Sequence, residues 1–146
     1  MSQTVVGGTF NVFHKGHAAL LDTAMTAAAL KGSALVIGIT SDELAKSMRS
    51  VPVRPFRDRL DDVAGHIERS DIRSEFGPVM YSVIHSPDDM PEMGSTDTLV
   101  VSKETEERAR RLLAEKGYVC NVRTVPMVCG KDGEEIHSTR ILEEQR

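Results

Sequence analysis

Two histidines three residues apart, His14 and His17, close the stretch Gly7-Gly8-Thr9-Phe10-Asn11-Val12-Phe13-His14-Lys15-Gly16-His17. Two imidazoles, a lysine and small residues at that spacing suit an anion such as a phosphate. Val5-Val6 reads as a short buried strand that ends in this turn. Gly7 and Gly8 allow positive φ and let the backbone approach a ligand closely. The helix that follows offers free N–H groups and the positive end of its dipole. A histidine-capped helix with no ligand is the alternative. Two histidines flanking a glycine, directly after strand–Gly–Gly, favour the phosphate. Zinc needs three or four ligands at fixed geometry. His66, His85 and His137 fall in three unrelated segments, and Cys120 and Cys129 lie nine apart with no CxxC, so the spacing offers no zinc set.

Further candidates lie downstream. Ser138, Thr139 and Arg140 begin a last helix, where hydroxyls and free N–H groups make a second anion site. Taken alone, Ser138 serves equally well as a helix cap; paired with the first motif, the anion site is favoured. Ser102, with Glu104 and Thr105 after it, caps a helix and also stands at the carboxyl end of an apolar strand. There it is a candidate contact to a nucleotide base or ribose. Arg108, Arg110 and Arg111 read as a solvated helix face, with Arg108 near enough to the helix start to reach a phosphate.

The elements that must position these residues alternate. Residues 17–31 are Ala- and Leu-rich with helical spacing, and Gly32 stops them. Ala34–Ile39 is a continuous apolar run that suits a strand buried on both faces. Thr40-Ser41-Asp42-Glu43 caps a short helix over 42–48. Phe56–Arg69 is amphipathic, with Leu60, Val63, Ala64 and Ile67 on one side and charges on the other. Residues 80–85 alternate like a strand, 86–95 form a loop, and 98–101 are another buried strand. A helix over 104–116 ends at Gly117, 119–127 is a strand, and Lys131-Asp132-Gly133 is a turn. This order predicts an α/β fold: a Rossmann-like, doubly wound parallel sheet with helices on both faces, in a single domain over 1–146.

Composition narrows the partners. The net charge of −4 opposes a nucleic-acid surface, and aromatics at 4% with no Trp leave few rings for stacking on bases. No signal peptide and no apolar stretch of transmembrane length is visible, which makes the cytosol the expected compartment. The cysteines suit a reducing compartment.

The stretch 7–17 resembles the HxGH signature of the nucleotidylyltransferases, usually GTFDxxHxGH, and Ile136-His-Ser-Thr-Arg-Ile141 resembles their second signature, ISSTRI. Thr40–Lys46, Arg54–Arg59 and Val100–Thr105 resemble one branch, the phosphopantetheine adenylyltransferases of the archaeal and eukaryotic type. The similarity spans roughly residues 4–142. It implies transfer of AMP from ATP to 4′-phosphopantetheine, with dephospho-coenzyme A and pyrophosphate as products. The attacking phosphate is already ionised, so alignment and charge stabilisation are the protein's work. The resemblance implies His14, His17 and Lys46 as catalytic. ATP would meet Gly8, Thr9, Phe10, His14, His17, Ser102, Glu104, Ser138, Thr139 and Arg140. Thr9, Lys46 and Arg59 would bind the acceptor phosphate, with Arg54 and Arg57 as competitors of Arg59. Mg2+ would arrive with ATP, without a protein carboxylate cage. Other acceptors (flavin mononucleotide, nicotinamide mononucleotide), cytidylyl transfer to an alcohol phosphate, and a non-catalytic nucleotide sensor are the competing readings. Asn11 and His137 stand where the signatures carry Asp and Ser, and residues 86–95 depart from the branch's DPYGPA-type loop.

Overall fold

The alternation of apolar runs with helical segments becomes a single parallel sheet in the computed structural model, which describes residues 2–48 and 51–126. The elements are β1 (Gln3–Gly8), α1 (Lys15–Lys31), β2 (Ala34–Thr40), α2 (Asp42–Met48), α3 (Phe56–Glu68), β3 (Val79–Ile84), β4 (Thr98–Ser102), α4 (Glu106–Lys116) and β5 (Asn121–Val125), with a short 3-10 turn at Arg73–Glu75. The strand order is β3-β2-β1-β4-β5, and every pairing is parallel. The chain winds outward from β1 in one direction and then crosses to β4 on its other side. The carboxyl ends of β1 and β4 therefore border the crevice in which sheets of this type receive ligands.

β2 is buried at every position, as its unbroken apolar run predicts. Val6, Leu35, Ile37, Ile39 and Val100 share one face with Leu21, Ala24 and Met25 of α1 and Val63 and Ile67 of α3. Val5, Val36, Leu99 and Val101 share the other with Leu113 of α4 and with Met93. Helices thus lie on both faces, but unequally. α4 packs on β4, while the carboxyl-terminal part of β1–β3 on that same face borders a cavity.

Helix ends follow the expected chemistry at most positions. Gly32 and Gly117 end α1 and α4 in the left-handed conformation, with φ of 61° and 72°. The Ser41 hydroxyl accepts from the Leu44 amide at 3.1 Å and caps α2. α1 starts two residues earlier than expected because the His14 ring caps it. Ser102 does not cap α4: Thr105 holds the cap position, without a side-chain cap bond. The Ser102 carbonyl accepts from the Thr105 amide at 3.1 Å, so Ser102 closes the turn ahead of the helix. The strand expected over 119–127 is ordered as Asn121–Val125. The 131–133 turn and the final helix lie outside the described residues.

One polar atom stands out in this packing. The Tyr81 hydroxyl is buried without a hydrogen-bond partner among the described residues, while its ring packs against the core. Burial raises its pKa above the ordinary phenol value. Tyr81→Phe keeps the ring and removes an unsatisfied group, so it should leave stability unchanged or raise it by up to about 1 kcal/mol. The unfolded phenol ionises first as pH passes about 10, which lowers wild-type stability there. Denaturant unfolding at neutral and alkaline pH should show the Phe variant's advantage growing with pH. A loss of stability at neutral pH would contradict this account of Tyr81.

Candidate active site

The turn after β1 is organised around residues 9–17. Phe10 is the non-glycine residue with positive φ among those described, at 52°. Neither Gly7 nor Gly8 has positive φ, so the left-handed step falls on Phe10 and not on the glycines. Gly8 is small for a packing reason: a Cβ there would lie 3.1 Å from the Phe10 ring. Phe10 itself is buried at 1% exposure, and a residue is held in that sparsely populated region only by its surroundings.

Those surroundings centre on Arg59, which α3 presents on its apolar side with Val63 and Ile67. Its side chain is fully buried. Nη1 donates to the carbonyls of Thr9 and Thr40 at 3.0 and 2.9 Å, Nε to the Arg54 carbonyl at 2.8 Å, and Nη2 to Asp42 Oδ1 at 2.7 Å. An acceptor phosphate contact, expected of Arg59, is at odds with this burial. The guanidinium faces inward because its donors serve the chain's own oxygens at the ends of β1 and β2. Arg54, one of the two competitors, is half-exposed and ion-paired to Asp62 at 2.6 Å.

Asn11 supplies the second tie. Its Oδ1 accepts from the Arg54 amide at 2.8 Å and its Nδ2 donates to the Pro52 carbonyl at 3.0 Å. The side chain is fully buried. An Asp here would set a carboxylate oxygen against the Pro52 carbonyl, which accounts for an amide where the signature has an acid.

At the start of α1, the His14 and His17 rings stack, with centroids 3.9 Å apart and 21° between planes. His14 Nδ1 accepts from the Gly16 amide at 3.0 Å, so the neutral ring carries its hydrogen on Nε2 as a donor. Phe10 and Phe13 flank His17 with centroids at 5.2 and 5.7 Å. The first turn of α1 holds no acidic residue, so no side-chain carboxylate there offsets the positive end of the helix dipole. Of the two alternatives posed by the sequence, the cap is present, made by His14 Nδ1.

A cavity of about 670 Å³ opens at the carboxyl ends of the strands. Gly8 and Thr9 line it and join it to the histidine turn; Thr40, Ile84, Glu104 and Arg108 are among its other walls. Thr9 is buried at 5%, and its hydroxyl accepts from Thr40 Oγ1 at 3.0 Å. Leu44 and Met48 of α2 also line the cavity, and Lys46 is exposed on the same helix. Ser102 is half-buried at the end of β4, outside the lining. Arg110 and Arg111 pair with Glu106 and Glu107 along the surface of α4, as a solvated face would. Arg108 instead faces the cavity. The loop wall, Pro87, Asp89, Met90 and Pro91, falls in the segment that departs from the branch's pattern. Sequence reasoning missed Gly38 and Ile84, whose place in the cavity follows from strand register alone. Ser138, Thr139, Arg140 and His137 lie outside the described residues.

Parallel strands in this order, with a histidine-bearing helix start beside a crevice at their carboxyl ends, define a Rossmann-like α/β class that receives ligands in that crevice. A cytidylyltransferase-like family model matches residues 5–144, and the chain belongs to that family. The phosphopantetheine adenylyltransferase of Methanothermobacter thermautotrophicus is 35% identical, over 96% of this chain and 82% of that protein. A bifunctional phosphopantetheine adenylyltransferase/NTP phosphatase of Thermoplasma volcanium is 32% identical; the match takes in 95% of this chain and 41% of that longer protein. Among solved structures, an Archaeoglobus fulgidus protein of unknown function has a TM-score of 0.65 and 29% identity, covering 84% of this chain and 97% of its own.

Arg59→Lys keeps the charge but loses the planar fork that reaches four partners. It should destabilise the fold by about 3 kcal/mol, because buried carbonyls and the Asp42 contact lose their donor. Urea unfolding measures this directly. A variant within about 0.5 kcal/mol of wild type would show that Arg59 does not hold the turn.

Proposed function

We propose that this protein transfers AMP from ATP to 4′-phosphopantetheine, releasing pyrophosphate and forming dephospho-coenzyme A. The observation that carries the reading is the junction of a stacked histidine pair at a helix start with a strand-end cavity, through Gly8 and Thr9. The names of the archaeal relatives support the choice of acceptor. An acceptor phosphate oxygen attacks the α-phosphorus of ATP, the new P–O bond forms as the bond to pyrophosphate breaks, and no proton transfer is needed. His14 and His17 donate hydrogen bonds to the nucleotide phosphates, with His17 toward the α-phosphate, and the amino end of α1 stabilises the charge that develops there. Thr9 and Lys46 bind the acceptor phosphate, and Arg59 supports them from beneath. The side of the cavity formed by β1–β3, with Gly38 and Ile84, takes the acceptor's arm, and its α4 side, with Glu104, faces the nucleotide.

Gly8, Phe10, Ser102 and Glu104 face the nucleotide in this reading, and Ser138, Thr139 and Arg140 complete its phosphate site. Among the described residues no group of three His, Cys, Asp or Glu side chains is arranged to hold a metal. Magnesium would arrive with the nucleotide, and no step is assigned to it. Among the described residues, no helix is long and apolar enough to cross a membrane. Cys120 is a free, half-buried thiol whose pKa burial raises; a cytosolic setting suits it.

Pyrophosphate release, followed with ATP, magnesium and each candidate acceptor, tests the reading. Turnover is expected with 4′-phosphopantetheine. Release with a flavin or nicotinamide phosphate and none with phosphopantetheine would contradict the acceptor and keep the class. ATP binding without turnover on any acceptor would favour a sensor. His17→Ala should lower kcat on the order of a hundredfold, as for loss of one transition-state donor. An unchanged kcat in the folded variant would remove His17 from the mechanism.

A further inference from the structure

Two glycines lie side by side in the cavity floor. Gly7 of β1 pairs with Gly38 of β2, and Gly38 pairs with Ser82 of β3. Glycine inside a strand weakens it, so adjacent glycines call for a reason in space or conformation. Conformation does not supply one, because neither has positive φ. Space does. A Cβ on Gly38 would lie 2.9 Å from Ile84 Cδ1 and 3.0 Å from its Cγ1, and a Cβ on Gly7 would lie 3.3 Å from Cδ1. The Ile84 side chain thus reaches from β3 across β2 toward β1, seated on two bare backbones. Ile84, Gly38 and Gly7 all line the cavity.

We infer that Ile84, seated on Gly38 and Gly7, sets the depth of the acceptor pocket and selects acceptors by the length and bulk of their arm. The inference rests on the proposal that the acceptor's arm occupies this cavity. β2 is central and wholly buried, so its backbone has little freedom to retreat, whereas Ile84 ends half-buried at an edge strand. A methyl group at position 38 must therefore lift Ile84 away from the floor and make the pocket shallower. Removing the Ile84 side chain deepens it. Neither change touches the histidine turn, so ATP binding should be unaffected.

Steady-state kinetics on full-length Gly38→Ala, Ile84→Ala and the double variant tests this, with 4′-phosphopantetheine and an S-butyryl derivative as acceptors. Gly38→Ala should raise the acceptor KM by about tenfold or more, the scale of one methylene misplaced in an apolar pocket. Its KM for ATP should stay within about twofold of wild type. Ile84→Ala should accept the S-butyryl arm far better than wild type does. The double variant should regain the acceptor KM lost by Gly38→Ala, since no Ile84 remains to be displaced. That rescue would not follow from general destabilisation, and the Ile84→Ala arm stands even where Gly38→Ala fails to fold. Equal changes in both KM values, unchanged selectivity in Ile84→Ala, or absence of rescue in a folded double variant would overturn the inference. Wild-type inactivity toward phosphopantetheine would instead overturn the functional reading, and the depth gauge with it.

Discussion

A single buried guanidinium ties the site together. Arg59 reaches the carbonyl just past β1, at Thr9, the last carbonyl of β2, at Thr40, the first residue of α2, at Asp42, and the segment before α3, at Arg54. These are the pieces that must stay in register if a phosphate at the helix start is to meet an acceptor in the cavity. Burying a cation is costly unless it is paired and its donors are satisfied. Here one carboxylate and three carbonyls meet that condition, and the geometry that satisfies them also fixes the turn. The left-handed Phe10 and the inward Asn11 directly follow Thr9, the residue whose carbonyl Arg59 holds.

The fold positions two different environments on either side of that turn. Toward α1 lie N–H groups, imidazoles and the positive end of a dipole, all suited to anions. Toward α4 lies a cavity whose floor is bare backbone and aliphatic side chain. Thr9 belongs to both. A reaction that joins two phosphorylated molecules needs this arrangement, in which charge is gathered at one point and the remainder of each molecule is housed apart.

Much of this was legible from residue types and spacing. Apolar runs marked β2 and β4, glycines marked the ends of α1 and α4, and Ser41 marked the start of α2, because each reflects local chemistry. What was not legible depends on partners distant in sequence. The resemblance implies an acceptor-phosphate contact for Arg59, although its place four residues before Val63 and eight before Ile67 puts it on the apolar face of α3. Gly7 and Gly8 allow positive φ, yet it occurs at Phe10, because the packing of one ring decides it. Gly38 looked like one residue of a buried strand; only register with Gly7 and Ser82, and the reach of Ile84, gives it a role. Ser102 passed for a cap because the turn 102–105 cannot be told from a helix start by composition.

Adenylyl transfer is defined by which phosphorus atom moves. ATP labelled at the α- or the γ-phosphorus, incubated with 4′-phosphopantetheine and the purified protein, distinguishes adenylyl from phosphoryl transfer at a single step. The α label should appear in the acceptor product and the γ label in pyrophosphate. Transfer of the γ label to the acceptor, with the α label left in ADP, would contradict the account.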